Sequence, residues 1–156
     1  MSPTHHDRRL LLQLAVLAVP ALAAGAWMGA SPKQVARSSD LELEFHSAPD
    51  GIHWIRADGT SGLFLPLGTA FALTPGSMAP GNGYLTYSAL DRRTGSNIWT
   101  VPILLRDGLP AAGTPARFFH SGTFDVQPRF SPDGRRISWA AREAGRWSIR
   151  EREFNA

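Results

Sequence analysis

The chain has 156 residues, with 16 Lys and Arg against 13 Asp and Glu and no cysteine, which leaves room for about one domain. The missing thiols exclude a disulfide framework, a thiolate metal site and a cysteine nucleophile, so an exported form must be held together by packing alone. A net charge of +3 with its arginines scattered over turns and strands offers no concentrated footprint for nucleic acid, and none is expected as a partner.

His5, His6, Arg8 and Arg9 precede an uncharged run from Leu10 to Ala30, relieved only by Gln13 and Pro20. That run has about the length a helix needs to cross a bilayer core, roughly 20 residues. It also fits a cleaved export signal. A basic start, an apolar centre and Ala21 and Ala23 spaced two apart match a signal-peptidase site after Ala23. Whether residues 10-30 are retained or removed stays open, as does orientation, since Arg8 and Arg9 on one flank face Lys33 and Arg37 on the other. Either reading puts the chain from about Lys33 onward outside the cytoplasm or at a membrane surface. Residues 31-40, polar and carrying Pro32, Ser38 and Ser39, read as a linker.

From Leu41 onward, short alternating runs are separated by Gly, Pro, Asn and Asp at close intervals, and no helical period is sustained. This is an all-β pattern. Strands are predicted within Gly51–Gly59 and Gly62–Leu67, over Ile98–Leu104 and Arg117–His120, from Arg136, and over Trp147–Phe154. Loops are predicted at Leu90–Asn97 and Arg142–Arg146. Ser131, Pro132, Asp133 and Gly134 form a turn cassette in which Pro132 presets φ, Asp133 bonds its own backbone and Gly134 accepts positive φ.

The cassette has an upstream echo. Pro80 and Pro132 lie 132 − 80 = 52 positions apart, and the same offset places Met78 on Phe130, Leu85 on Ile137 and Tyr87 on Trp139. Ala79, Pro80, Gly81 and Asn82 supply equivalent turn chemistry, Asn82 being tolerant of the left-handed conformation. Ile52, Ile98 and Ile149 correspond in a following strand, and Asp58-Gly59 answers Asp107-Gly108. The unit is thus about four short strands in roughly 45 to 52 residues, the size of a propeller blade.

GIHWIRADGT (Gly51 to Thr60), GSNIWTVP (Gly95 to Pro102) and FDVQPRFSPDGRRISW (Phe124 to Trp139) occur in this order. Between about Asp50 and Asn155 the chain thereby resembles the TolB-type, WD-repeat-like β-propeller family, closest to the extracytoplasmic propellers that one membrane helix joins to bacterial serine/threonine kinases. The resemblance implies a partial β-propeller of four-stranded antiparallel blades, about two and a half of them within 41-156, preceded by one hydrophobic helix at 1-30. Such propellers close with about six blades. An incomplete array exposes a face and strand edges, open to a protein partner or to self-association. The chain has no glycine-rich nucleotide loop, no H-R-D and no D-F-G, so kinase activity is not implied for it.

Residues with chemistry have plainer roles. His46, His53 and His120 have no zinc-binding spacing, and Ser131 lacks a nucleophile elbow. Asp50, Asp58, Asp91, Asp107, Asp125 and Asp133 all fall at predicted turns. Trp54, Trp99, Trp139 and Trp147, with Tyr87 and Phe130, are expected mostly to fill space between blades. No catalytic, cofactor-binding or metal-binding residue is assigned. The expectation is a non-enzymatic, exported or membrane-tethered interaction or sensing module, at the bacterial inner membrane facing the periplasm or free in the periplasm after cleavage. The alternative is the propeller portion of a receptor kinase or of a prolyl-oligopeptidase-like hydrolase whose catalytic domain is encoded elsewhere.

Overall fold

The computed structural model describes residues 36–38, 43–81 and 83–156. The apolar run of residues 10-30 and its expected helix lie outside the described residues. No helix among the described residues is long and apolar enough to cross a membrane.

The described chain is all-β. A first antiparallel sheet takes β1 (Ala36–Ser38), β2 (Leu43–Ala48), β3 (Gly51–Arg56) and β4 (Ser61–Pro66) in sequence order. Part of the stretch expected as a linker is therefore strand, with Ala36 opposite Phe45 and Ser38 opposite Leu43. A second meander runs β5 (Ala72–Met78), β6 (Tyr84–Asp91) and β7 (Gly95–Arg106), with β9 (Ala116–Phe119) on the far side of β7. The long end of β7 also folds back on β8 (Leu109–Ala112) through the Asp107-Gly108 turn, where both residues have positive φ as a two-residue hairpin requires. A third meander takes β10 (Phe124–Phe130), β11 (Arg136–Glu143) and β12 (Arg146–Glu153). One parallel pairing, Phe124 with Ser96, links it to β7.

The spans of the second and third meanders keep the sequence offset. β5 and β10 begin and end 52 residues apart, as do β6 and β11. Their registers agree as well, with Met78 opposite Leu85 and Phe130 opposite Ile137. Two loops are tighter than expected. β6 continues to Asp91 and β7 starts at Gly95, while Ala144 and Gly145, both at positive φ, alone connect β11 to β12. Alternating polar residues such as Ser96 and Asn97 continue the pleat where composition suggests loop.

By hydrogen bonding the second and third meanders are one eight-stranded sheet joined at β7 and β10; taken meander by meander as three sheets, they enclose two cores. Phe45, Ile52 and Trp54 of the first sheet pack on Leu73, Leu85, Tyr87, Ala89 and Val101 of the second. On the opposite face of the second sheet, Ile98 packs with Ile137, Trp139 and Ala141 of the third, and Phe118 and Phe119 close the side. The ring of Phe119 lies 4.6 Å from that of Trp139. The second and third meanders are also tied directly, chiefly between β5 and β10. The Arg129 guanidinium donates to the Gly76 carbonyl (2.9 Å), the Phe130 N–H donates to the Ser77 hydroxyl (2.7 Å), and the Thr86 hydroxyl donates to the Pro128 carbonyl (3.3 Å). Gly76 permits this approach, since a Cβ there would lie 2.3 Å from the Pro128 oxygen.

The turn cassette works as its residues predict. Gly134 has φ 71° and donates to the Ser131 carbonyl, the Ser131 hydroxyl donates to the Asp133 carboxylate, and that carboxylate accepts the Arg135 N–H. Upstream, positive φ is taken by Gly81 and Gly83, and Asn82 lies outside the described residues. The same capping chemistry lowers the carboxyl pKa at four turns. Asp133 is lowered first by the Ser131 hydroxyl, Asp91 by the N–H groups of Arg93 and Thr94, Asp58 by that of Thr60 and Asp50 by the His53 side chain.

Two measurements check these assignments. Trp139→Ala should cost about 3–5 kcal/mol by chemical denaturation, because a ring buried between two sheets leaves a cavity. Carboxyls held below their unfolded pKa stabilise the fold above that unfolded value. Their contribution is lost as pH falls through the folded pKa, so the midpoint should drop in the acid range below about pH 4. Asp133→Asn should flatten that acid slope.

Candidate interaction surface

The residues on each sheet face can be matched by register. Ile52 stands opposite Ser47, Ile98 opposite Ser88 and Ile149 opposite Ala140. Ser88 and Ala140 are related by the 52-residue offset, so the three isoleucines occupy one position in three sheets. Their surroundings differ completely. Ile52 and Ile98 are 0% exposed, whereas Ile149 is 68% exposed.

The exposed isoleucine belongs to a patch. Cross-strand neighbours point to the same side of a sheet, so Ile149, Trp147, Glu151 and Glu153 share a face with Ala140, Arg142, Ser138 and Arg136. Trp147 is 48% exposed, and the Arg142 guanidinium lies 5.9 Å from its ring centre. Arg136 and Glu151 pair at 2.5 Å. The patch is apolar at its centre, and its rim of two arginines and two glutamates balances in charge. Trp147 is the exception among the tryptophans named in the sequence: Trp54 and Trp139 are buried, Trp99 is half-buried, and Trp147 stands in solvent.

The same sheet has an open edge. β3 has β4 on its far side and β7 has β9, while β12 pairs with β11 alone among the described residues.

One group of side chains has the composition of a hydrolytic site. Asp125, expected at a turn, is instead fully buried inside β10. Its carboxylate accepts the Trp139 indole N–H (3.1 Å), the Ser121 N–H (3.1 Å) and the Ser121 hydroxyl (2.6 Å). The neighbouring His120 does not join them. Its Nδ1–H donates to the Asn97 side-chain oxygen, so no imidazole stands between hydroxyl and carboxylate to relay a proton. The arrangement satisfies a buried carboxylate and fixes the Trp139 ring. Sequence reading missed Asp125 because the polar residues before it, Ser121, Gly122 and Thr123, signal a turn, and that turn ends at Thr123, before β10 begins at Phe124.

The histidines of the first sheet are locally engaged. His53 bonds Asp50 at 2.8 Å, and the His46 ring lies 5.7 Å from that of His53. Groups of three or more potential metal ligands do not occur among the described residues. A shallow cleft is lined by Thr69, Phe71, Asp91, Arg92 and Arg93, with the Arg92 guanidinium 5.0 Å above Phe71. Ser131 lies beside a second cleft at the turn cassette, where its hydroxyl is spent on Asp133 and the Arg136 backbone.

No family model matches the sequence, and no curated protein or solved structure matches it. Ile98 and Ile149, equivalent in register and opposite in exposure, form a test pair. Ile98→Ala should cost about 2–5 kcal/mol. Ile149→Ala should stay within about 0.5 kcal/mol, and equal costs in denaturant titrations would contradict the assigned faces.

Proposed function

We propose that this chain is a non-enzymatic interaction module of β-propeller type, exported or membrane-tethered through residues 10-30. In this reading its three stacked sheets are blades. The equal spacing of β5–β6 and β10–β11, with their shared register, supports the repeat, and the basic, then apolar, start of the sequence supports export. Chemistry-bearing side chains are engaged in turns and in the Asp125 network, which suits a scaffold.

The observation that carries the reading is the solvent exposure of Ile149 and Trp147 where the register equivalents of Ile149 are sealed. An apolar centre with a balanced charged rim is the anatomy of a protein-binding surface. Photo-crosslinking in the producing cell tests it. A benzophenone side chain at position 149 should give a discrete adduct that Trp147→Glu abolishes, while the same group at the exposed Leu63 of the first sheet should give none. Equal labelling at both sites, or none at 149, would refute the module.

A further inference from the structure

Two faces equivalent to the Ile149 face already have occupants within this molecule, and the occupants share a pattern. The core that seals Ile52 includes Leu85, Tyr87 and Ala89 together with Leu73 and Met78 of β5, and the core that seals Ile98 includes Ile137, Trp139 and Ala141 together with Phe118 and Phe119. In each case one strand presents an aliphatic, an aromatic and a small side chain at alternate positions. We infer that the Ile149 face is the docking site for a partner protein's antiparallel sheet whose facing strand carries this same aliphatic–aromatic–small triad. The inference rests on the interaction-module reading and goes beyond it by specifying the occupant.

Three features of the face fit that occupant. The small Ala140 opposite Ile149 leaves depth for an aromatic ring, as Ser88 does opposite Ile98. Ser138 holds the register position of Thr86, whose hydroxyl meets the Pro128 carbonyl of the incoming innermost strand. A hydroxyl is therefore again in place for a strand carbonyl. Finally, Arg136 and Glu151 neutralise each other at the rim, so covering the centre strands no single charge.

A second copy of this chain does not meet the requirement. Both of its triads are already buried. Among the described residues, its remaining face of the corresponding kind, on β2, is set by 88 − 47 = 41, the spacing between the Ser88 and Ser47 partners of Ile98 and Ile52. That spacing puts Glu44, His46 and Ala48 where Leu85, Tyr87 and Ala89 stand. An acidic and an imidazole side chain replace the aliphatic and aromatic members.

The absence of cysteine permits a single-thiol test on the full chain. Ile149→Cys places a reporter at the centre of the face, and its rate of reaction with a soluble maleimide reads coverage. The probe partner is built from this protein's own sequence. Ile149 and Ile98 are 149 − 98 = 51 residues apart, so Ala156 stands in phase with Leu105, and residues 106–156 appended after Ala156 continue the pattern. The appended segment carries one triad, and its own isoleucine is retained.

The extension should slow the reaction of the introduced thiol by at least about tenfold, because a buried thiol reacts only through local opening. The same extension with Ile137→Glu and Trp139→Glu in the appended copy alone should restore the rate of the unextended chain. Equal rates with and without the extension, including the case in which the appended segment stays unfolded, would overturn the inference. So would protection by both extensions, which would show that the triad is irrelevant. Protection of the unextended chain that grows with its own concentration would make a second copy the occupant and overturn it likewise. If crosslinking at position 149 succeeds while the extension gives no protection, the module stands and the sheet occupant fails; if crosslinking fails, the module itself is lost.

Discussion

Burial of the middle sheet on both faces is the constraint on which the rest of this fold depends. A lone four-stranded sheet has two faces and covers neither. Here the β6–β7 pair presents Leu85, Tyr87 and Ala89 to one neighbour and Ile98 to the other. At about 25 cal/mol per Å² of apolar surface removed from water, each stacked face supplies several kcal/mol against the entropy of ordering the strands. Among the described residues the flanking sheets obtain this from one side only. Stability should therefore be graded, with β6 and β7 the hardest strands to open and β12, exposed on nearly all of its residues, the easiest.

Stacking by apolar contact is non-directional, and the register of one sheet on the next is fixed by polar groups. Asp125 is the centre of that arrangement. It sits in β10 with its carboxylate filled by the Trp139 indole and by Ser121, and its own carbonyl accepts the Ser96 hydroxyl from the second sheet at 2.8 Å. A buried carboxylate without these donors would cost far more than the network gains. Sliding the third meander along the second would break the Ser96–Asp125 bond, while the Trp139 bond within the third meander holds the Asp125 carboxylate in place, so the contact to Ser96 selects one stacking arrangement. The Thr86–Pro128 and Arg129–Gly76 contacts do the same nearer the innermost strands.

Much of this was legible in the residues. Turn chemistry is local, so Ser131 to Gly134 could be read directly, and a strand that alternates as Arg136, Ile137, Ser138 and Trp139 do announces its own period. The 52-residue offset survived as strand ends and as register. What escaped was information held in neither neighbouring residues nor composition. Alternation identifies a face but not what covers it, so Trp147 and Trp139 look alike in sequence and differ by the presence of an adjoining sheet. Asp125 was misplaced for a related reason: a carboxylate near Gly and Ser signals a turn unless one knows that an indole from the next strand reaches it.

The exposed last strand combines an open face with a guarded edge. β12 reads Arg146, Trp147, Ser148, Ile149, Arg150, Glu151, Arg152, Glu153, with its arginines on one side of the sheet and its glutamates on the other. Continuing the sheet across a two-fold axis pairs residues of the same side. An axis at Ser148 sets Arg146 against Arg150, one at Ile149 sets Arg146 against Arg152, and one at Arg150 sets that residue against itself. An axis at Glu151 or Arg152 again opposes like charges. Directly opposed like charges destabilise strand pairing, and charged edges are a means by which sheets resist adding to one another. The charge pattern thus works against edge-to-edge pairing of β12 with itself at these registers, while Ile149 and Trp147 stay clear on the face of the sheet.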